Sequence, residues 1–220
     1  MAISIDTVYQ KVLTFANKEQ RGYITPQQFN LFADQAQKEI FEQYFYDLNQ
    51  LARVPGRSEE YSDIVHNLNE KVAIFERADG VGQVLVNVYR LGTVISNGRE
   101  VEEVQQNELL YINQSPLTAP TLSRSVYVRT GENTITVTPT STDITYTYVS
   151  TPTKPSWGYV VVNERAMYDS SNKVDFQLHK SEESELVYRI LAFAGISMQK
   201  PSLAQAAIGL ETAKIQQEKQ

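Results

Sequence analysis

Residues 16–53 read ANKEQRGYITPQQFNLFADQAQKEIFEQYFYDLNQLAR, and this stretch carries the clearest structural signals in the chain. Thr25 is followed by Pro26, and Gln28 comes three residues after the threonine. A capping threonine, proline at the first helical position and a glutamine at the third are together typical of a helix start. We therefore predict a helix that begins at Pro26 and meets no proline or glycine before Pro55.

This predicted helix is amphipathic and long. Its apolar residues recur at spacings of three and four, which predicts one buried face: Phe29, Phe32, Ala36, Ile40, Tyr44, Leu48 and Leu51. At about 1.5 Å of rise per residue, the helix would extend about 40 Å. Phe41, Phe45 and Tyr46 lie beside the stripe and widen it. We predict that these three side chains pack against a neighbouring subunit.

Two more helices are predicted around the long one. A first helix, capped by Ser4 or Asp6, would run to about Gln20 and form an antiparallel hairpin with the long helix. A third helix would be capped by Ser58, and apolar residues again follow at helical spacing. Residues 1–78 are thus predicted to form an N-terminal helical region.

The central part of the chain, residues 79–180, is predicted to form an antiparallel β region. Val84, Val86 and Val88 alternate with polar or longer residues, as in a half-buried strand. Asn97-Gly98 predicts a hairpin, because both residues tolerate the positive φ of a type I′ turn. Further short strands are predicted at residues 126–129, 134–138, 144–149, 159–162 and 175–178.

The C-terminal region, residues 181–220, is predicted to be helical, and either to pack back on the chain or to dock on a partner. Ser181 would cap its first helix and Gly195 would end it. From Pro201 onward the apolar residues are mostly alanine, so this last helix has a weak stripe of its own. The whole chain is therefore predicted to be α+β, with helices at both ends and strands between them.

Composition excludes several classes of protein. The net charge is -6, whereas proteins that bind nucleic acid through phosphates concentrate Lys and Arg. The chain has no cysteine, which excludes disulfides, thiolate nucleophiles and Cys-ligated zinc. It shows neither a signal-peptide pattern nor an apolar run of the roughly 18 residues that span a bilayer. We expect a protein that is made in a cytoplasm and stays soluble.

Candidate catalytic and metal-binding residues are few. The only histidines are His66 and His179, to which we assign structural roles. The adjacent carboxylate pairs Glu102-Glu103 and Glu182-Glu183 could suggest acid–base chemistry, but neighbours in sequence point apart on a helix. Neither a P-loop nor a GxGxxG motif occurs. We predict that the protein is not an enzyme and has no catalytic, cofactor or metal site.

Trp157 is the only tryptophan, and it lies between prolines ahead of a predicted strand. Its ring could stack on a base or a sugar, as aromatic side chains do in binding sites. A tryptophan in this position is more often a core residue, and we interpret Trp157 as one. The 13 tyrosines suit interface anchoring, although tyrosine is also a good strand former.

Four ordered motifs resemble a family of tailed-phage virion proteins, found especially among crAss-like podophages and their relatives that infect Bacteroidota. The resemblance is carried by ANKEQRGYITPQQFNLFADQAQKEIFEQYFYDLNQ, NELLYINQSPLTAPT, PSWGYVV and DFQLHKSEESELVYRILAFAGI, which begin at residues 16, 107, 155 and 175. Together these motifs extend the resemblance over nearly the whole chain.

The resemblance implies a structural subunit of the head-to-tail neck. Such a subunit would form a homo-oligomeric, twelvefold ring that docks to the portal protein, extends the DNA channel and carries neighbouring neck or tail proteins. DNA would pass through without sequence-specific binding, and no membrane or cofactor would be involved. We expect assembly in the host cytoplasm and a final location in the virion. The predicted portal contacts are Pro201, Leu203, Ala207, Leu210 and Ile215.

Other functions remain open at this point. Within the virion, the chain could instead form a tail-hub or tail-barrel ring, or an adaptor for tail fibres. A binding module of another class would recognise glycans through Trp157 and nearby tyrosines. A glycosidase that uses only carboxylates is a third alternative, and it would require two carboxylates facing each other across a cleft.

Overall fold

The computed structural model describes residues 3–17, 24–53, 59–197 and 201–218, and it has the predicted α+β class. The chain divides into two compact units. The helical unit consists of Met1–Ile74 and Pro152–Gln220, and the sheet unit of Phe75–Thr151. The boundaries therefore differ from the predicted ones at 78 and 180, because residues 152–180 belong with the helices.

Five of the six described helices belong to the helical unit. They are α1 (Ile5–Asn17), α2 (Pro26–Arg53), α3 (Glu59–Ala73), α5 (Glu183–Ser197) and α6 (Pro201–Glu218), whereas α4 (Gln106–Ile112) lies in the sheet unit. The predicted stop of α1 near Gln20 and the predicted cap Ser58 lie outside the described residues.

The predicted start of α2 is confirmed. Thr25 and Gln28 form a reciprocal capping box: the Gln28 amide N–H donates to Thr25 Oγ1 at 3.3 Å, and the Thr25 N–H donates to Gln28 Oε1 at 3.2 Å. The helix runs for 28 residues, and its predicted stripe includes Phe29 and Ile40, which are almost inaccessible to solvent. Local sequence was sufficient to predict this helix, because the capping box marks its start and the apolar stripe marks its buried face.

The sheet unit contains six strands in the order β1-β6-β2-β3-β4-β5. They are β1 (Glu76–Val81), β2 (Val88–Ser96), β3 (Arg99–Glu103), β4 (Val126–Gly131), β5 (Thr134–Thr138) and β6 (Ile144–Ser150). All neighbours pair antiparallel except β3 and β4, which are parallel. A parallel pair needs a long connection, and here it is the segment that contains α4.

The sheet is curled, so that β5, at one edge, forms hydrogen bonds with the segment that follows β1, at the other edge. The Leu85 N–H donates to the Asn133 carbonyl at 2.9 Å, and the Ile135 N–H donates to the Gln83 carbonyl at 3.0 Å. This pairing covers the outer edge of β5, which would otherwise be open to another chain. The curled sheet encloses an apolar core of Leu85, Val94, Val101, Tyr127, Ile135, Val137, Ile144 and Tyr146.

The prediction for residues 84–88 was wrong in two respects. Only Val88 belongs to a strand, and Val84 and Val86 are 61% and 62% exposed. The alternation itself is present, but the buried residue is Leu85, at 2% exposure. An alternating pattern does not say which face of the strand is buried. Here the curled sheet encloses Leu85 and leaves the valines exposed.

The hairpin prediction at Asn97-Gly98 is confirmed, since both residues have positive φ, 52° and 73°, and join β2 to β3. The prediction missed a second hairpin, in which Asn163 and Glu164 join β7 (Tyr159–Val162) to β8 (Arg165–Tyr168) with φ of 49° and 62°. It was missed because the turn lacks the usual glycine.

The predicted strand at residues 175–178 is not formed. These residues and residues 153–157 are extended segments instead, and two side-chain amides of α2 form hydrogen bonds with their backbone. Gln37, fully buried, donates from Nε2 to the Thr153 carbonyl at 2.8 Å and accepts from the Gln177 N–H at 3.0 Å. Asn30 accepts from the Trp157 N–H at 2.8 Å. Backbone groups in extended segments need hydrogen-bond partners, and these side chains add to the isolated backbone pairs of Phe176 with Ile3 and of Ser156 with Val174.

We predict that Gln37→Ala lowers the free energy of unfolding by about 2–4 kcal/mol, because it removes the hydrogen bonds to the Thr153 carbonyl and from the Gln177 N–H and leaves a cavity at a fully buried position. Urea denaturation followed by circular dichroism measures the change. Gln35→Ala is the matched control, since Gln35 is exposed on the same helix and its side-chain amide donates to Glu39 Oε1 at 2.9 Å. It should cost less than about 0.5 kcal/mol. Equal losses in the two variants would contradict the role of the Gln37 amide.

Candidate functional site

The helical unit contains three charged side chains that are almost removed from water. Glu182 is 1% exposed, Glu185 4% and Arg189 8%. Glu182 ends the short 3-10 turn Lys180–Glu182, and the other two follow at helical spacing on α5. Buried charges are strongly unfavourable unless they are paired, so their partners determine what can pack here.

Three cations neutralise these carboxylates. Lys71 Nζ lies 2.6 Å from Glu182 Oε1, and Lys214 Nζ lies 3.4 Å from Glu182 Oε2. An Arg189 guanidinium nitrogen lies 2.8 Å from Glu185 Oε1. Further pairs are Lys214 with Glu185 at 3.5 Å, Arg189 with Glu211 at 3.1 Å, and Arg189 with Glu39 at 3.4 Å. We call these seven residues the charge cluster, and it connects α2, α3, α5 and α6.

The two buried carboxylates have pKa values shifted in opposite directions. Burial opposes ionisation of Glu182, but the hydrogen bond from Lys71 and the charges of Lys71 and Lys214 outweigh it and hold the pKa of Glu182 below its ordinary value. Burial raises the pKa of Glu185, the charge of Arg189 opposes this, and the neighbouring charge of Glu182 adds to it. Paired carboxylates with separated pKa values resemble an acid–base pair, but here ion pairs already occupy both groups.

A cleft of about 550 Å³ lies beside the charge cluster, between α2, α3, the start of α5 and the end of α6. Its apolar lining comes from Ile40, Tyr44, Leu51, Ile64, Leu68 and Ile215. Its charged lining comes from Asp47, Glu70, Lys71, Glu182 and Glu185. The volume lies within the range of small-molecule and peptide-anchor sites, about 300–1,000 Å³.

The two histidines have different surroundings. His66 is exposed on α3. His179 is the cap of the 3-10 turn, and its Nδ1 accepts from the Ser181 N–H at 3.3 Å. The predicted cap, Ser181, is therefore replaced by His179, since the chain enters α5 through this turn. In the part of the chain that the structure describes, no group of three metal-binding side chains occurs.

Trp157 is a core residue, as interpreted. It is 5% exposed, and its ring stacks against Tyr168 and Tyr159 at centroid distances of 5.6 Å and 5.9 Å. Its Nε1–H donates to Asp6 Oδ1 at 2.9 Å. The ring and the polar edge that a sugar would contact are thus engaged inside the unit, which removes the main support for glycan recognition through Trp157.

The predicted portal contacts on α6 have different surroundings. Ala207 is buried and Leu210 is 52% exposed, whereas Ile215 lines the cleft. Pro201 and Leu203 lie in the first turn of α6, but their side chains lie outside the described part of the structure.

The predicted end of α5 at Gly195 was wrong, because the helix continues to Ser197. Gly195 instead allows α6 to come close: a Cβ at this position would lie 2.8 Å from the Ala204 nitrogen. Ala204 and Ala207 are both buried. Small residues therefore pack α6 on α5, which the weak apolar stripe did not predict.

The predicted inter-subunit aromatic residues lie mostly inside the chain. Phe41 and Phe45 are 2% and 7% exposed and pack edge to face, with ring centroids 5.1 Å apart. Tyr46 is 57% exposed. Only Tyr46 therefore offers a large accessible side chain to a neighbouring subunit, and its role in packing stays a prediction.

Two exposed apolar surfaces were not predicted. The hairpin surface consists of Val160, Val162 and Met167, which share one face of β7 and β8 and are between 46% and 57% exposed. The crossover surface consists of Leu110, Tyr111, Leu117 and Leu122, which are between 63% and 91% exposed. All residues from 105 to 124 are described, and none is buried. Exposed apolar patches of this kind are typical of protein–protein contacts.

A scan of protein-family models finds no match to this chain, and a search of curated proteins finds none either. Within the described ranges, none of the helices is long and apolar enough to cross a membrane.

We predict that Glu182→Gln lowers the free energy of unfolding by about 3 kcal/mol at neutral pH, because Lys71 and Lys214 lose a buried counter-charge. The pKa of Glu182 is lower in the folded chain than its ordinary 4.5, so its stabilising effect is present above that pH and is lost on acidification. The difference between wild type and variant should therefore shrink below about pH 4.5. Urea titrations across pH measure it.

Glu183→Gln is the matched control for this experiment. Glu183 is adjacent in sequence, but it is more exposed and pairs with Lys11, whose side chain is 50% exposed. Its loss should cost less than about 1 kcal/mol. A pH-independent deficit in Glu182→Gln would show that the deficit does not come from the ionised carboxylate.

Proposed function

We propose that this chain is a structural subunit of a tailed-phage virion and forms a twelvefold ring in the head-to-tail neck. The ring docks to the portal, extends the DNA channel and carries tail proteins. The proposal rests on the four motifs that resemble such proteins, and on one feature of the structure, the presence of two different exposed apolar surfaces on one chain.

Two different surfaces suit a ring for a geometrical reason. In a cyclic assembly with more than two members, one surface of each subunit meets a different surface of the next. The hairpin surface belongs to the helical unit and the crossover surface to the sheet unit. Each carries several large apolar side chains, which is the composition expected at the centre of a protein interface.

The role is mechanical rather than catalytic. The ring would lengthen the portal conduit, seal it after DNA packaging and provide a platform for tail proteins. The net charge of -6 suits a channel through which DNA slides without sticking.

The primary test is the mass of the purified chain by light scattering, alone and mixed with its cognate portal. The proposal expects the chain to join the portal at one copy per portal subunit. Absence of binding to the portal would contradict the neck assignment. In that case, assembly on purified tail proteins would favour the tail-hub, tail-barrel or fibre-adaptor role.

We predict that Val160→Lys prevents ring assembly while leaving the fold intact, because it places a charge within the hairpin surface. Val160 is 51% exposed, so the substitution disturbs little within the chain. Leu31→Lys is the matched control, since Leu31 on α2 is 61% exposed and lies outside both surfaces. Light scattering in the presence of portal measures assembly, and thermal unfolding checks the fold. Assembly by Val160→Lys at the wild-type level would exclude the hairpin surface from the ring contact.

The docking role of the last helix needs a point substitution. Deletion of residues 201–220 would also remove Ala204, Ala207 and Lys214, which pack or pair within the helical unit, so it would disturb the fold. We predict that Leu210→Lys weakens portal binding at least tenfold and leaves thermal unfolding unchanged. Gln205→Lys, exposed on the same helix, is the control for the added charge. Unchanged binding by Leu210→Lys would contradict portal docking through this residue.

A further inference from the structure

β7 and β8 form a sheet of two strands, so each outer edge of this hairpin lacks a neighbour among the described strands. The Asp169 N–H donates to the Gly158 carbonyl at 2.9 Å, which shows that these opposed residues bond to each other across the hairpin. Opposed pairs in an antiparallel ladder alternate between bonded and non-bonded pairs. Counted from this bonded pair, every second residue therefore directs its N–H and C=O groups away from the hairpin.

Four residues carry these outward groups: Tyr159 and Val161 on β7, and Ala166 and Tyr168 on β8. Trp157 has the same orientation two residues before β7 begins. Asn30 on α2 accepts from its N–H at 2.8 Å and donates to its carbonyl at 3.4 Å. Within the described ranges, the hydrogen bonds between elements satisfy Trp157 but none of the four. Both edges of the hairpin are thus open to a further strand.

The six-stranded sheet, in contrast, protects both of its edges. The edge at β5 pairs with residues 83–85. The edge at β1 carries Glu76, Arg77 and Asp79, and a bulge interrupts it between Arg77 and Gly80. Charges and bulges prevent an edge strand from pairing with another chain. β7 has neither feature, since it consists of one tyrosine and three valines that are between 46% and 64% exposed.

We propose that neighbouring copies of this chain pair edge to edge through the hairpin, with β7 of one copy beside β8 of the next. Tyr159 and Val161 of one copy exchange backbone hydrogen bonds with Ala166 and Tyr168 of the next copy. The pairing is antiparallel, as it is within the hairpin, because every copy presents the same two strands in the same order. A second copy fits the edge because the chain itself supplies the complementary one, with two outward residues at the same spacing.

Head-to-tail pairing is favoured over pairing of two identical edges for a geometrical reason. A dimer formed through two β7 strands would leave both β8 edges open. Head-to-tail pairing satisfies every edge once the copies close into a ring, as strands do in a barrel. The inference therefore rests on the proposed ring and specifies one of its contacts. The hairpin surface lies on one face of the resulting sheet, and these backbone bonds leave it accessible.

Disulfide trapping tests the pairing, because the chain has no cysteine of its own. Val160→Cys and Met167→Cys are made on separate chains and mixed with cognate portal under mild oxidation. These positions are opposed within the hairpin, and between copies they become a non-bonded pair, in which side chains lie closest. Disulfides between unlike chains should exceed by about tenfold those of Leu31→Cys mixed with Met167→Cys, the exposed control.

A second cysteine position covers the register. A shift of two residues keeps the same face of the strand, and it would place Arg165 opposite Val160 of the adjacent copy. Arg165→Cys is therefore mixed with Val160→Cys in parallel. Disulfides between two Val160→Cys chains at the level expected for unlike chains would show a two-fold contact of identical edges, and they would overturn head-to-tail pairing.

Light scattering of the same samples separates this inference from the proposed ring. Assembly without disulfides above the Leu31→Cys level, in either register, would overturn the strand pairing and leave the ring proposal intact. Disulfides between unlike chains without portal binding would support the strand pairing and contradict the neck assignment. Absence of both assembly and disulfides would overturn both proposals.

Val161→Pro tests the backbone bonds themselves, because it removes an N–H that points outward and that the hairpin does not use. Assembly should weaken about tenfold, whereas Val161→Ala, which keeps the N–H, should stay within about twofold of wild type. Thermal unfolding verifies the fold. If Val161→Pro unfolds the chain, Ala166→Pro replaces it, with Ala166→Ser as its control. Assembly of a folded proline variant at the wild-type level would overturn the proposal, and if both unfold, the disulfide experiment decides.

Discussion

The burial of Glu182 and Glu185 is the constraint on which the helical unit depends. A carboxylate that is 1% or 4% exposed is strongly unfavourable without a counter-charge. Lys71 on α3 pairs with one oxygen of Glu182 and Lys214 on α6 with the other, so both helices must pack beside the start of α5. The last helix, whose apolar residues are mostly alanine, is held by these charges together with a close contact between small residues. Its position thus depends both on the ion pairs of Lys214 and on the close packing of Ala204 against Gly195.

A second constraint is the backbone of the extended segments that follow the sheet unit. Isolated backbone pairs join Phe176 to Ile3 and Ser156 to Val174, but these pairs do not extend into a sheet. Gln37 and Asn30, two turns apart on α2, supply further hydrogen bonds. Side-chain amides suit this task because each has both a donor and an acceptor. Their presence explains why a long amphipathic helix carries a fully buried glutamine on its apolar side.

The sequence was most informative where one local signal sufficed. The capping box at Thr25 and the turn at Asn97-Gly98 both depend on residues within four positions of one another, and both were predicted correctly. Its weakest predictions concerned which face is buried. The alternating pattern fits burial of either Val84 or Leu85, and only Leu85 is buried. The position of Phe45 beside the apolar stripe fits an internal or an inter-subunit contact, and its side chain is 7% exposed.

By itself, then, the sequence determined the α+β class, the long helix α2, the Asn97-Gly98 hairpin and the burial of Trp157, because caps, turns and stripes act over a few residues. The tertiary structure alone decided that residues 152–180 join the helical unit, that Leu85 turns inward, and that Glu182 and Glu185 share their cations with α3 and α6. Lys71 and Lys214 are 143 residues apart in the sequence, yet both pair with the carboxylate of Glu182. Contacts over such separations have no local signature, because they arise only when the whole unit is packed.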